Sequence, residues 1–287
     1  MKQLRAVSLC LVACTLVLAS CNYGLEEIFG RGDQVAGRIA DGSTRPVINP
    51  GVSAPFRFII SSDLHFGGTI APSPSRIAAF QTLIESSNPA FAAFCGDIAD
   101  HGTAADYQGF RAFADGLVKS SAAGGGSLPW FSAIGNHDLY NSGWQFFRSQ
   151  VGPSYFRIIA GSVSIYGLDS ANGTLGQAQI DRLKADFSGD PRAKIILSHY
   201  PIRGNDAYIY YRLTNPRERA LLLTLFARNR VKAVFVGHWH FPLVTDCYLF
   251  KEWIAGSFAN GTDDKGHCWV VDVDAAGTVS ATEHTLD

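Results

Sequence analysis

The chain has 287 residues, enough for one large domain or two small ones. Hydrophobic residues make up 47% of it and charged residues 17%, a composition that excludes intrinsic disorder and supplies ample core. A formal charge of −1 leaves no basic footprint, which argues against tight binding to long nucleic acid.

The first segment stands apart from the rest. Lys2 and Arg5 precede an apolar run from Ala6 to Ala19, shorter than the ~20 residues that span a bilayer comfortably. The run ends in Leu18-Ala19-Ser20-Cys21, which resembles a bacterial lipobox. That resemblance implies cleavage before Cys21 and a lipid on its sulfur. Residues 1–20 are then a lipoprotein signal peptide, and the mature chain is exported and lipid-anchored in the cell envelope, facing the periplasm or the exterior. An ordinary signal peptide with an incidental cysteine is the plainer alternative. Loss of Lys2 and Arg5 moves the formal charge from −1 to −3. Residues 21–54, with Pro46, Pro50 and many Gly, Asp and Ser, read as a tether carrying a short amphipathic helix around Leu25 to Ile39. Arg31-Gly32-Asp33 within it matches an integrin-binding tripeptide, but three residues carry little information, and a solvated turn is expected.

From Phe56, strands and helices alternate. The pattern predicts a strand over 56–61, a helix over 75–86 and a strand over 91–95. A helix over 104–119 follows, with Tyr107, Phe110, Phe113, Leu117 and Val118 at helical spacing, then a Gly124-Gly125-Gly126 loop and a strand over 130–134. Residues 155–168 read as a hairpin turning at Ala160-Gly161-Ser162. A helix over 177–187, a strand over 193–197, a helix over 217–229 and a strand over 231–236 come next, and short strands close the chain between Val244 and Glu283. This order predicts one α/β domain over residues 55–287, with sheets inside and helices outside. Among the cysteines, Cys95 falls in an apolar strand, where an inert buried thiol is expected. Cys247 and Cys268 are open to two fates in an oxidising compartment, a disulfide or two free buried thiols.

Five polar clusters fall where the apolar strands end. They are Asp63-Leu64-His65, Gly96-Asp97-Ile98-Ala99-Asp100, Gly135-Asn136-His137-Asp138, Ser198-His199-Tyr200-Pro201 and Gly237-His238-Trp239-His240. Ligands of open α/β sheets bind beyond the carboxyl ends of the strands, so clusters in that shared position are expected to meet at one rim. Their Asp, His and Asn side chains suit two ions of Mn, Fe or Zn rather than Ca, and paired dications are suited to displacing an oxygen on phosphorus. Asp63 and His65 are two residues apart, on one face of an extended chain, and so are His238 and His240, which spacing alone would let share a metal.

The ordered set D-x-H, G-D-x-x-D, G-N-H-D, a lone His and G-H-x-H resembles the signature of the calcineurin-like metallophosphoesterases. It spans Asp63 to His240. The resemblance implies a four-layer α/β/β/α sandwich with two mixed sheets. It implies that Asp63, His65 and His240 hold one ion, that Asp97 bridges, and that Asn136, His199 and His238 hold the other. It also implies hydrolysis of a phosphoester by a hydroxide held between the metals, with His137 as general acid and Asp100 orienting it. Two alternatives stand beside Asp100: it could be a helix N-cap, and Asp138 could orient His137. Purple acid phosphatases carry Tyr where this chain has Asp100, so an iron–tyrosinate centre is not expected. Arg203 is a candidate for contacting a substrate phosphate. Tyr208, Tyr210 and Tyr211 could stack on a base or headgroup, but these, like Phe66, Trp144 and Trp239, are expected to pack rather than bind. His101 reads as a solvated loop residue.

The ungapped motif set resembles the class III cyclic-nucleotide phosphodiesterases, which makes a small phosphodiester the leading substrate. Phosphomonoesters and phospholipid headgroups follow, and a non-enzymatic metal-binding scaffold is the alternative from another class. No part of the sequence calls for an obligate protein partner.

Overall fold

Central strands here are apolar on both faces, and a strand buried on both sides must lie inside a layered structure. A computed structural model of the chain describes residues 31–41, 47–121, 124–206, 209–259 and 265–286. Residues 1–20, the expected signal segment, lie outside the described residues, as do Cys21 and Tyr208. Among the described residues, no helix is long and apolar enough to cross a membrane.

The elements in chain order are α1 (Arg31–Asp41), β1 (Val47–Ile48), β2 (Phe56–Ser61), α2 (Pro74–Ser87), β3 (Ala92–Phe94), α3 (Ala104–Asp115) and β4 (Trp130–Ser132). After a 3₁₀ turn (His137–Ser142) come α4 (Trp144–Gln150), β5 (Phe156–Ala160), β6 (Val163–Gly167), α5 (Gly176–Ser188) and β7 (Ala193–Leu197). A second 3₁₀ turn (Ile209–Tyr211) leads to α6 (Pro216–Arg228), β8 (Val231–Val236), β9 (Pro242–Asp246), β10 (Lys251–Ala255), β11 (His267–Val273) and β12 (Val279–Thr285).

The strands form two mixed sheets, a seven-stranded one ordered β1-β5-β6-β7-β8-β10-β9 and a five-stranded one ordered β12-β11-β2-β3-β4. Within them β6, β7, β8 and β10 run parallel, and so do β2, β3 and β4. Alternate residues decide which layer each strand builds. Phe58, Ile60, Phe91 and Ala93 of the smaller sheet meet Ile165, Ile195, Leu197 and Phe235 of the larger one in an inter-sheet core. The opposite faces differ. Ile59, Ala92 and Phe94 take Phe80 and Ile84 of α2 with Phe110 and Phe113 of α3. Tyr166, Ile196 and Val234 take Ile180, Leu183, Leu222 and Phe226 of α5 and α6. The result is the α/β/β/α sandwich that the motif resemblance implied.

Local signals account for the helix boundaries. Ser73 caps α2 by accepting from the Arg76 N–H, Thr103 and Asp106 form a reciprocal capping box on α3, and Asn215 caps α6 ahead of Pro216. Helix α3 ends at Asp115 rather than running to Lys119, because the chain turns at Gly116 into a bridge between Val118 and Ser127.

The structured region starts upstream of residue 55. Short β1 pairs with β5, and α1 packs on α5, where Gly32 lies against the Gly176 backbone. The Arg31-Gly32-Asp33 tripeptide therefore begins a helix instead of forming a solvated turn. Arg38 forks onto Asp169 at 2.7 and 2.8 Å and reaches Asn172 at 2.6 Å. Cys247 and Cys268 are free thiols, the first just beyond β9 and the second in β11 of the other sheet, so of the two fates the disulfide is not found.

Arg38 and Asp169 are both buried, 131 residues apart in sequence. Arg38→Ala strands a carboxylate in a dry site and is expected to cost about 3–5 kcal/mol, read from the urea unfolding midpoint.

Candidate metal centre

Five loops bring the polar clusters together, and each loop leaves the carboxyl end of a parallel strand. β2 delivers Asp63 and His65, β3 delivers Asp97 and Asp100, and β4 delivers Asn136 and His137, all from the five-stranded sheet. β7 delivers His199, and β8 delivers His238 and His240, from the seven-stranded sheet. The site therefore straddles the seam between the two sheets.

The backbone bends hard to do this. Asp63, His65, Asp97, His238 and His240 all adopt left-handed conformations, with φ of 54°, 49°, 50°, 70° and 60°. Such angles are uncommon outside glycine, and Asn, Asp and His tolerate them best. Neighbouring loops support the bends. The N–H groups of Asp63 and His65 donate to the carbonyls of Gly96 and Asp97, and the Ser257 hydroxyl donates to the Asp63 carbonyl. Two glycines are required by close approach. A Cβ on Gly135 would sit 2.2 Å from Asp97 Oδ1, and one on Gly237 would sit 1.9 Å from Ser62 Oγ.

Hydrogen bonds set the ring orientations. The Nδ1–H of His199 donates to the Cys95 carbonyl at 2.8 Å, so Nε2 faces inward, where it can bear a proton or, once that is lost, ligate a metal. His65 Nδ1 lies 2.8 Å from Asp100 Oδ1, with the same consequence. The inward atoms then cluster. His65 Nε2 is 3.3 Å from His240 Nε2, which is 3.3 Å from Asp63 Oδ1. His199 Nε2 is 3.1 Å from Asp97 Oδ2 and 3.0 Å from Asn136 Oδ1.

Those separations test whether the residues fit a metal. Ligand atoms about 2.0–2.1 Å from a tetrahedral ion are about 3.3–3.4 Å apart along the edge. Two imidazole Nε2 atoms at 3.3 Å match that edge, and so does each nitrogen–oxygen pair to within a few tenths of an ångström. Asp63, His65 and His240 form one group able to hold an ion, and Asp97, His199 and His238 form another. His65, Asp97 and His137 form a third that overlaps both, which places Asp97 centrally.

Charge in this pocket is unusually constrained. Burial pushes the Asp63 and Asp97 carboxyls up, but His240 beside Asp63 and His199 beside Asp97 outweigh it and hold both below the usual carboxylate range. His199 is likewise opposed by burial, yet the Asp97 carboxylate lifts it to about 9. Burial and the His199 charge push His238 down to about 3. Two buried anions thus require cations, and protons or metal ions can serve. Asp138 differs: burial first, then the Asp97 charge, raise its carboxyl above the ordinary range.

Several sequence expectations take a different form. Asp138 accepts from the N–H groups of Ala99 and Gly135 and so ties the second and third loops together, without touching the His137 ring. Thr103, not Asp100, caps α3. Asp100 has two roles at the site: its carboxylate meets His65, and its carbonyl accepts from His137 Nδ1 at 2.8 Å, with Oδ1 3.5 Å from that nitrogen, while its other carboxylate oxygen lies 3.4 Å from the exposed His101. Arg203 forks onto Asp206 at 2.6 and 3.0 Å and does not line the cavity over the cluster. That cavity, of about 620 Å³, is lined by Asp97, Asn136, His137, His238 and His240 together with the aromatic side chains of Tyr211, Trp239 and Phe241. Tyr211 and Trp239 therefore face the site, whereas Trp144 bonds Asp41 and Phe66 packs on Phe110 and Phe113. Tyr200 stacks on His238 with ring centroids 3.9 Å apart.

Two supports escaped the sequence reading. Ser170 Oγ accepts from the N–H groups of His199 and Tyr200, and Glu252 accepts from those of Ile202, Arg203 and Gly204. Both act on backbone of another loop, so no spacing in the sequence marks them.

A curated relative described as a probable cyclic nucleotide phosphodiesterase, from Fibrobacter succinogenes, is 27% identical over 150 residues, 50% of this chain and 55% of that protein. The chain thus matches about half the length of that relative. A dimetal phosphatase from Danio rerio shares the fold with a TM-score of 0.60 at 12% identity, over 81% of this chain and 100% of that one. PhoD does so with a TM-score of 0.57 at 13% identity, over 82% of this chain and 69% of that one. The family model described as calcineurin-like phosphoesterase matches residues 56–242, most of the layered domain and all five loops, and the chain belongs to that family.

Proposed function

We propose that the chain hydrolyses a small phosphodiester at a two-metal centre. Asp63, His65 and His240 would hold one ion and Asn136, His199 and His238 the other, with Asp97 serving both. The observation that carries this reading is the set of inward Nε2 and carboxylate atoms at coordination-edge spacing, in two groups joined through Asp97. The named activity of the Fibrobacter relative directs the choice of substrate toward a cyclic nucleotide. The lipid anchor on Cys21 belongs to the same proposal and is supported by the lipobox-like Leu18-Ala19-Ser20-Cys21 alone.

A bound metal pair would supply Lewis-acid stabilisation of phosphoryl charge and a strong nucleophile at neutral pH. The remaining work falls to the protein. His137 lines the cavity beside the ion groups, and its backbone N–H donates to Asp97 Oδ1 at 2.8 Å. A carbonyl only accepts, so the Nδ1 facing Asp100 O carries the proton, and Nε2 is the atom left to give one to a leaving oxygen. The Asp100 carboxylate lies 3.5 Å from that Nδ1 and, with the Asp100 carbonyl, holds the ring in this orientation.

A panel of cyclic nucleotides, phosphomonoesters and lipid diesters, assayed with Mn, Fe, Zn and Co and again with chelator, tests the reading. Turnover of a cyclic nucleotide that chelator abolishes is the expected result. Preference for a monoester or a headgroup would replace the substrate, and no turnover with any metal would favour a binding scaffold.

Asp97→Asn removes the shared charge and is expected to lose both ions, whereas His65→Ala loses mainly one. Metal analysis of the purified variants decides it, and a full pair retained in Asp97→Asn would remove the shared role. His137→Ala is expected to keep its metals while kcat falls ~10²–10⁴-fold for an ester with a poor alkoxide leaving group. A nitrophenyl ester departs without a proton and is expected to lose much less. Equal losses for both esters would exclude His137 as the acid.

A further inference from the structure

The cavity mouth has an apolar lip that the chemistry of the metal groups does not use. Ile209, Tyr210 and Tyr211 form a short turn beside it, and Phe241 rises from the opposite loop, all exposed, with Tyr210 85% accessible. The chain around that turn is basic: between residues 203 and 219 lie Arg203, Arg212, Arg217 and Arg219 against Asp206 and the buried Glu218. An exposed aromatic and aliphatic edge beside arginines is the composition of a surface that rests in a bilayer interface.

The path of the chain says what meets this lip. The first turn of α1 lies against the loop after β6, where Gly32 touches Gly176 and Asn172 donates to Gln34. The same loop joins the lip, because the Thr214 N–H donates to the Gly173 carbonyl at 2.9 Å, three residues beyond Tyr211. Helix α1 is clamped there by Arg38 and Asp169, so its entry point cannot wander. The docking geometry rests on the proposed lipid at Cys21, and only nine residues separate Cys21 from Arg31. A chain of that length reaches at most about 35 Å.

We propose that the lip of Ile209, Tyr210, Tyr211 and Phe241 docks on the surface of a lipid bilayer, so that the metal cavity opens toward the headgroup layer. The competing apolar patch is the tip of the β9–β10 hairpin, where Tyr248 is fully exposed and Leu249 largely so. β9 leaves the site at Pro242 and runs down to that tip, so the patch lies at the far end of the sheet from the mouth and from the entry of α1.

The test uses the lipidated chain from Cys21 onward, reconstituted into vesicles of phosphatidylethanolamine and phosphatidylglycerol, with Cys247→Ser to remove the half-buried thiol. An environment-sensitive fluorophore is placed on Tyr210→Cys in one protein and on Tyr248→Cys in another, and lipids bearing a shallow nitroxide are added. An interface-seated lip enters the headgroup boundary by ~5–10 Å, so the label at 210 is expected to dim at least about twofold while the label at 248 does not. Quenching at 248 instead of 210, at both equally or at neither overturns the proposal. Melting temperatures matching the unlabelled parent show that both proteins are folded. The readout needs no turnover, so its failure leaves the phosphoesterase reading intact, and an inactive protein still reports its orientation.

Discussion

Two sheets are held face to face by apolar side chains, and the metal site depends on that contact. Phe58 of one sheet meets Phe235 of the other edge to face, with ring centroids 6.1 Å apart, and Phe91, Trp253, Trp269 and the aliphatic residues around them fill the space between. Hydrophobic burial is not directional, but close packing is unforgiving: a shift of one sheet opens voids or forces clashes. Packing thereby fixes how far the ends of β2, β3 and β4 stand from those of β7 and β8. Since Asp97 comes from one sheet and His199 from the other, their 3.1 Å separation is a consequence of core packing.

Electrostatics then sharpens what packing sets up. Asp63 and Asp97 are buried acids whose charge is tolerable only beside cations. His199 and His240 meet that demand by holding protons, whose places a metal ion can take, and the hydrogen bonds on the outer nitrogens of His65 and His199 keep their inner ones aimed at the same point in either state. The site is thus preorganised by carbonyls, backbone N–H groups, the hydroxyls of Ser170 and Ser257 and the carboxylate of Asp100.

Much of this was legible in the sequence because the information is local. Strand periodicity, caps such as Asn215-Pro216 and the position of each polar cluster after an apolar run can all be read within ten residues. The split role of Asp100 was not legible, because its carbonyl and carboxylate serve residues on two other loops. Nor was the pairing of Arg203 with Asp206, which draws the guanidinium away from the cavity. Helix α1 was expected only as an element of a tether, since Arg38 and its partner Asp169 are 131 residues apart and nothing near either announces the other. Tyr211 and Trp239 looked like packing residues because an aromatic side chain reads the same way in a core as at a cavity wall.

The left-handed backbone at Asp63, His65, Asp97, His238 and His240 restricts how this centre can evolve. Asp, Asn and His are the non-glycine residues that enter that conformation most readily. They are also oxygen and nitrogen donors, so exchange among them changes the ligand without adding strain. Cysteine or glutamate at the same positions would meet about 1–2 kcal/mol of steric cost before any metal bound. Thiolate ligation, with its preference for softer ions, is therefore disfavoured at these five positions by backbone geometry as well as by chemistry. Drift in metal preference is biased toward ions that accept imidazole and carboxylate, and transfer of the centre to another scaffold would require moving the bent loops along with the side chains.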